Sequence, residues 1–188
     1  MTIFRRATIV AAGGLLSGSA VYLGLVTGAI PLDLGIGRRT GPLGPLEVDV
    51  AAPQELVFDV IAAPYAERAS RALREKVRVL ERGTDLVLAA HYTPIRGRLR
   101  ATTVETVHFT RPDRVDFRLV RGPVPHVTET FHLTPRGNET RLTYTGELGT
   151  DLWALGQRWG DLVAAKWQAT VKTSLHAVKT EAERRAAR

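Results

Sequence analysis

The chain has 188 residues, of which 44% are hydrophobic and 24% are charged, values typical of a globular protein and not of a disordered one. It contains no cysteine, which excludes a disulfide scaffold, a thiolate metal site and cysteine nucleophilic catalysis. Its formal net charge is +7, but the basic residues form no stripe interleaved with aromatic residues, so no nucleic-acid partner is predicted.

The amino-terminal segment is the only long apolar run. Residues 7–30 carry no charge, and two arginines flank them on each side. As a helix they would span roughly 36 Å, against about 30 Å for the hydrocarbon core of a bilayer. We therefore predict that residues 1–30 form an uncleaved transmembrane helix. A cleaved signal peptide is the alternative, although its apolar part is usually only about 7–15 residues long.

The flanking charges give little preference for orientation, because the two sides carry equal numbers of arginines. The free amino terminus adds one positive charge on its own side. The predicted localisation is therefore the cell membrane, as a single-pass protein with its body on the extracytoplasmic side. Residues 31–45 contain seven Gly or Pro and keep no apolar period, so they are predicted to be a linker before a domain at 46–188.

The domain begins with a short strand and two helices. Residues 46–50 alternate apolar and acidic side chains, which indicates a strand. Pro53 suits the first turn of a helix, which Pro64 ends. A second short helix that contains Ala66, Ala69 and Leu73 is also predicted.

Six more strands follow, separated by turn-forming residues. They are predicted at residues 75–82, 85–93, 97–110, 114–121, 126–134 and 139–148. Hairpin-length connections between consecutive strands favour an antiparallel sheet. The chain then ends in one long amphipathic helix over 151–185, with Asp151 as its predicted cap. Its apolar stripe comprises Leu152, Leu155, Trp159, Leu162, Val163, Trp167, Val171, Leu175 and Val178.

These elements predict an α+β fold in which a curved antiparallel seven-stranded sheet grips a long C-terminal helix. Residues 48–58, with their strand, proline and helix, and residues 138–144, with a hairpin ending in Leu-Thr-Tyr, carry a resemblance to a known superfamily. The chain resembles the START-like, or helix-grip, proteins of the polyketide cyclase/dehydrase and lipid-transport group (SRPBCC) over about 45–185. The resemblance implies a cavity between sheet and helix for a hydrophobic ligand.

Two carboxylates are predicted to point inward. Glu105 shares the apolar phase of its strand with Val107, and Glu129 shares that of Phe131. Arg121 continues an apolar phase as well, so it is a candidate partner for either carboxylate. The three would bind the polar head of a ligand or form a structural ion pair, since a buried carboxylate must be paired or protonated.

Aromatic residues complete the candidate ligand site. Tyr92 and Tyr144 lie on the apolar phases of their strands, and Trp159 lies on the helix stripe that faces the sheet. Phe117 and Phe131 would line the cavity. Each of these rings is also a reasonable core residue, and each tyrosine is then a core residue with a satisfied hydroxyl.

The predicted function is binding or transport of a lipid, quinone or polyketide-like molecule by a membrane-anchored protein, with membrane lipid as a second partner. A polyketide cyclase or dehydratase that uses a pocket carboxylate, Glu105 or Glu129, is the first alternative. A scaffold whose cavity is filled by aromatic side chains is the second. No cofactor and no metal are expected, because the histidines are scattered without ligand spacing.

Overall fold

The computed structural model describes residues 19–30, 33–96 and 99–188. Most of the predicted anchor, residues 1–18, lies outside these ranges, as do residues 31–32 of the predicted linker and residues 97–98 at the start of the predicted strand 97–110. Within the described ranges, no helix is both long and apolar enough to cross a membrane.

Seven strands form one antiparallel sheet with the order β1-β7-β6-β5-β4-β3-β2. The strands are β1 (Arg39–Val50), β2 (Val77–Arg82), β3 (Leu86–Arg96), β4 (Leu99–Thr110), β5 (Arg114–Arg121), β6 (His126–Arg136) and β7 (Glu139–Thr150). Every sequential pair from β2 to β7 is a hairpin, as the short turn signals predict. The exception is β1 at one edge of the sheet, which pairs with β7, the last strand in the sequence.

Within the part of the chain described from residue 33 onward, three α-helices accompany the sheet: α1 (Gln54–Ala62), α2 (Arg71–Arg74) and α3 (Trp153–Ala186). A single 3₁₀ turn, Ala63–Tyr65, follows α1. α3 packs against β1, β7 and α1 and buries Val163, Val171 and Leu175 there. The α+β helix-grip architecture is therefore confirmed, with two short helices before the second strand.

The first turns of α3 differ from the prediction. Leu155 and Leu162 belong to the predicted apolar stripe, but they are 73% and 49% exposed. The sequence pattern identifies which face of the helix is apolar, but it does not show how far the sheet extends along that face. In the structure, burial of large apolar side chains on this helix begins only at Val163.

The glycine- and proline-rich segment is attached to the body. β1 begins at Arg39, so part of the predicted linker lies within the sheet. Upstream of β1, the buried Asp151 carboxylate accepts hydrogen bonds from the backbone N–H groups of Leu34 and Gly35 at 2.6 and 2.8 Å. Arg38 Nε donates to the other carboxylate oxygen at 2.8 Å. Asp151 therefore does not cap α3, as predicted, but fastens residues 33–38 to its start.

Residues 19–26 form a helical segment that ends against the sheet. Thr27 O accepts a hydrogen bond from the backbone N–H of Thr102 at 2.9 Å, and Arg121 Nε donates to Gly28 O at 3.3 Å. Gly28 has a φ of +70°, and a Cβ there would lie 2.4 Å from Thr102 O, so the close approach requires glycine. This contact lies at the end of the sheet where β3, β5 and β7 finish, which we call the rim.

Candidate functional site

The inner face of the sheet carries two buried carboxylates among apolar side chains. Side chains alternate along a strand, so Glu105 lies on the same face of β4 as Val107, and Glu129 on the same face of β6 as Val127. Glu105 is 5% exposed and Glu129 is 7% exposed. The strand alternation thus places both carboxylates in the interior, as predicted.

Glu105 is paired with a histidine on the neighbouring strand. His91 Nδ1 lies 3.1 Å from Glu105 Oε2, but off the direction of a good hydrogen bond, so the contact is chiefly electrostatic. Thr103 Oγ1 donates to the other carboxylate oxygen at 2.6 Å. On the far side of the ring, His91 Nε2 and the Tyr65 hydroxyl are hydrogen-bonded at 3.0 Å.

The two charges of this pair stabilise each other. Burial raises the pKa of Glu105, but the charge of His91 in close contact and the hydrogen bond from Thr103 outweigh it, so the pKa is lowered overall. Burial lowers the pKa of His91, yet the Glu105 carboxylate and the more distant Glu129 raise it above its ordinary value. The arrangement therefore favours an imidazolium–carboxylate pair.

Glu129 is held differently, because it accepts hydrogen bonds and contacts no cationic group among the described residues. The Tyr144 hydroxyl and the Trp167 Nε1–H both donate to its Oε1 atom, each at 2.7 Å. Across the β6–β7 ladder it faces Gly146, where a Cβ would lie 3.3 Å from the Glu129 Cγ. Burial and the nearby Glu105 charge raise the pKa of Glu129 to about 7, although the two hydrogen bonds lower it.

Aromatic rings join the two carboxylate sites. Phe117 lies between them: its ring centroid is 6.4 Å from that of His91 and 5.4 Å from that of Phe131. Phe131 in turn is 5.4 Å from Tyr144. Phe117 and Phe131 are only partly buried. The result is a continuous apolar wall that carries one ion pair and one isolated carboxyl group.

The structure brings five of the predicted site residues together: Glu105, Phe117, Glu129, Phe131 and Tyr144. The other three, Tyr92, Arg121 and Trp159, lie elsewhere.

Arg121 leaves the inner face because a register shift between β4 and β5 makes Glu105 oppose Leu119 and Val104 oppose Arg121. Its guanidinium contacts the backbone carbonyl of Gly28, so the predicted ion pair with a carboxylate is not formed. Tyr92 follows His91 directly in β3 and therefore faces the opposite side of the sheet.

Trp159 contacts the rim. Its Nε1–H donates to Pro123 O at 2.9 Å, and its ring makes an edge contact with Tyr22 at 6.4 Å.

His91 and Tyr65 are functional candidates that the sequence does not single out. Both phases of β3 are apolar, since Val87 and Ala89 alternate with Leu88 and Ala90. The pattern of β3 alone therefore does not identify which residues face inward. The inward phase of β4 is clear, and the register that sets His91 opposite Thr103 would have identified the histidine.

Chemically, the site offers a carboxyl group that changes its protonation near neutral pH beside an ionised pair. Such a set can bind the polar group of an apolar molecule, or move a proton to or from it.

The sequence of residues 46–183 matches the model of the family described as polyketide cyclase / dehydrase and lipid transport. Comparison with curated protein sequences gives no match.

Several solved structures share the fold. The Zhui aromatase/cyclase from Streptomyces sp. R1128 is 22% identical, with a TM-score of 0.63 over 79% of this chain and 95% of that chain. A START superfamily protein from Mycobacterium smegmatis is 16% identical, with a TM-score of 0.55 over 77% of this chain and 99% of that chain. A protein from Thermus thermophilus is 18% identical, with a TM-score of 0.57 over 76% of this chain and 95% of that chain.

Proposed function

Because the chain belongs to the polyketide cyclase / dehydrase and lipid transport family, we propose that its inner face binds a hydrophobic small molecule that carries a polar group. The aromatic wall of Phe117, Phe131 and Trp167 takes the apolar part. Glu129 binds the polar part. A lipid, a quinone or a polyketide-like molecule has this combination of a large apolar body and a few oxygens.

The observation that carries this proposal is the unused hydrogen-bonding capacity of the Glu129 carboxyl group. Both hydrogen bonds to its carboxyl group go to Oε1, and no described residue donates to Oε2. Among the described residues the only buried side-chain polar atom without a partner is His91 Nδ1, so Oε2 of Glu129 is accessible from outside, and a ligand group can form a hydrogen bond with it there. With a pKa of about 7, this carboxyl group donates when protonated and accepts when ionised.

Titration of the full chain with decylubiquinone tests the proposal, because a quinone quenches tryptophan fluorescence and Trp167 lies beside Glu129. We expect saturable quenching. A quinone carbonyl accepts hydrogen bonds, so binding should weaken as pH rises above about 7 and Glu129 ionises. Glu129→Gln keeps a donor and should bind without this pH step, whereas Glu129→Ala should bind about tenfold more weakly.

Glu147→Gln is the matched control. Glu147 lies near Glu129 on the neighbouring strand, but it is half exposed and pairs with His126 on the outer face. It should bind as the wild type does. Quenching that never saturates would contradict the proposal and favour a scaffold with a filled interior. Equal affinity of the wild type and Glu129→Ala for decylubiquinone would show that Glu129 is not part of the binding site.

We also propose that the amino-terminal segment anchors the protein in the cell membrane as a single pass, with the body on the extracytoplasmic side. Two observations support this. Residues 7–30 carry no charge, and of the part of this run that the structure describes, residues 19–30, the first eight residues are helical. Membrane lipid would then be the second partner.

Acid–base catalysis on a polyketide-like substrate is a second candidate, favoured by the close pairing of titratable groups. His91 and Glu105 are 3.1 Å apart, and Tyr65 extends the chain of contacts. In a cyclisation with loss of water, ionised Glu129 would take a proton from the carbon next to a ketone. The resulting enolate would add to a second carbonyl, and the alkoxide so formed would take a proton from His91. His91 would then take a second proton from the same carbon while Glu129 returns its proton to the hydroxyl group, which leaves as water, so that both groups are regenerated.

Incubation with a linear poly-β-ketone thioester separates the enzyme from the binder. An enzyme should convert it to an aromatic product with new near-ultraviolet absorbance. Glu129→Gln should lower kcat by about a hundredfold or more while KM changes little, because the amide still binds but cannot take a proton. If the wild type leaves the thioester unchanged, acid–base catalysis is rejected and ligand binding remains as the proposed function.

A further inference from the structure

Most of the exposed large apolar side chains gather at one end of the molecule. The structure shows fourteen such residues in the described ranges, and only Leu80 and Leu86 lie away from the rim, the first turns of α3 or residues 19–36. The other twelve are Val21, Tyr22, Leu23, Ile30, Leu34, Ile36, Ile95, Leu99, Val120, Trp153, Leu155 and Leu162.

The fold brings these residues together from distant parts of the sequence. Ile95 and Leu99 flank the turn from β3 to β4, which lies at the rim. Trp153 and Leu155 begin α3, and the backbone N–H of Trp153 donates to Gly37 O at 3.0 Å. Tyr22 contacts Trp159, which itself binds the loop after β5. We call this surface the apolar collar.

An apolar collar of this size is unusual on a protein surface that faces only water. Trp153 is 56% exposed and Leu155 is 73% exposed, although both begin a helix that buries Val163, Val171 and Leu175 further along. Exposed apolar surfaces of this kind mark sites that contact another protein or a membrane. The uncharged amino-terminal run leads into the collar, since residues 19–30 are its last part and contact the rim.

The charges around the collar indicate the chemistry of that partner. Arg100 and Arg158 are exposed there, and neither pairs with a carboxylate within the described ranges. Arg39 and Arg121 also contact only neutral groups, the Gln157 amide and backbone carbonyls. Of the carboxylates beside the collar, Asp33 and the buried Asp151 both pair with Arg38, whereas Asp161 is exposed. Apolar side chains ringed by arginine match the interface of a bilayer that contains anionic lipid.

We propose that the apolar collar docks on an anionic lipid bilayer, so that the rim of the helix-grip body lies in the membrane interface. This inference rests on the proposed membrane anchoring and goes beyond it. An anchor alone holds the body near the membrane but does not determine which surface of the body contacts lipid. Docking places Trp153 and Leu155 among the lipid headgroups and acyl chains, with Arg100 and Arg158 at the phosphates.

The absence of cysteine allows a clean test, because a single introduced cysteine carries the only label. Leu155→Cys places a nitroxide on the collar, and Asn138→Cys places one on the exposed turn before β7, at the opposite end of the sheet. Each full chain is reconstituted into vesicles of phosphatidylcholine and phosphatidylglycerol at 3:1. Collision of the nitroxide with oxygen and with a soluble nickel complex is then measured.

We expect the label at position 155 to collide with oxygen several-fold more, and with nickel several-fold less, than the label at position 138. Arg100→Glu combined with Arg158→Glu should reduce this difference, as should vesicles of phosphatidylcholine alone. If the difference between positions 155 and 138 is unchanged in the double arginine variant and also in vesicles of phosphatidylcholine alone, the role assigned to the arginines is wrong.

Two outcomes would overturn docking itself. Nickel collision that is equally high at both positions means that the collar remains in water. Low collision with both reagents at position 155 means that protein covers the collar, such as a second copy of the chain. Both outcomes leave the anchor intact as long as the protein sediments with the vesicles, whereas failure to sediment contradicts anchoring. Quinone binding is measured separately.

Discussion

Replacement of His91 by alanine is expected to lower the free energy of unfolding by about 3–5 kcal/mol. The substitution leaves the Glu105 carboxylate buried, 5% exposed, without its cationic partner at 3.1 Å. The Thr103 hydroxyl remains, but one neutral hydrogen bond cannot replace a charge. Equilibrium unfolding in urea at pH 7 measures the loss, provided that the transition stays two-state.

His108→Ala is the matched control for this measurement. His108 pairs with Asp85 at 3.0 Å, nearly the distance of the buried pair, but both side chains are exposed to solvent. Its removal should cost at most about 1 kcal/mol. The double variant His91→Leu with Glu105→Leu should recover most of the stability, because no charge is then left buried. A loss in His91→Ala no larger than in His108→Ala would show that the interior pair is well hydrated.

The second large effect is a loss of stability on raising the pH, caused by Glu129. Its pKa is raised from 4.5 to about 7 in the folded protein, so folding favours the protonated carboxyl group. The resulting stabilisation is fully present below pH 4.5 and is lost as pH rises through about 7. The size of the shift corresponds to about 3 kcal/mol between these limits.

Glu129→Gln isolates this contribution, because glutamine keeps an oxygen that accepts from Tyr144 and Trp167 but carries no charge. We expect the variant to be more stable than the wild type at pH 8 by about 3 kcal/mol and to differ little at pH 5. Urea unfolding of both proteins across this range gives the difference curve. A difference curve without a step between pH 5 and 8 would place the folded-state pKa of Glu129 near its ordinary value.

The strand phases of the inner face could be predicted from the sequence wherever apolar and polar residues alternate clearly. Glu105 and Glu129 were located in this way, because each interrupts a regular apolar phase on its own strand. Tyr144 follows from the same rule, since it shares the phase of the fully buried Leu142. Alternation is a local property, so it needs no knowledge of the partner strands.

The parts of the site that depend on pairing could not be predicted. Arg121 has the right parity on β5, but the register shift against β4 turns it to the outer face. His91 was missed because β3 is apolar on both faces. Asp151 has a residue type and position typical of a cap, yet the folded chain brings Leu34 and Gly35 to it over more than one hundred residues. Register and long-range backbone contacts leave no local pattern in the sequence.

The attachment of residues 33–38 to Asp151 has a mechanical consequence. A flexible linker between a fixed amino terminus and the body would let the body rotate almost freely. Here the buried carboxylate clamps the backbone of Leu34 and Gly35 together with the Arg38 guanidinium, directly beside the start of α3. Residues 33–38 therefore form a stiff joint with the start of α3. A force or rotation that reaches these residues passes to the long helix, and the body reorients together with them as one unit.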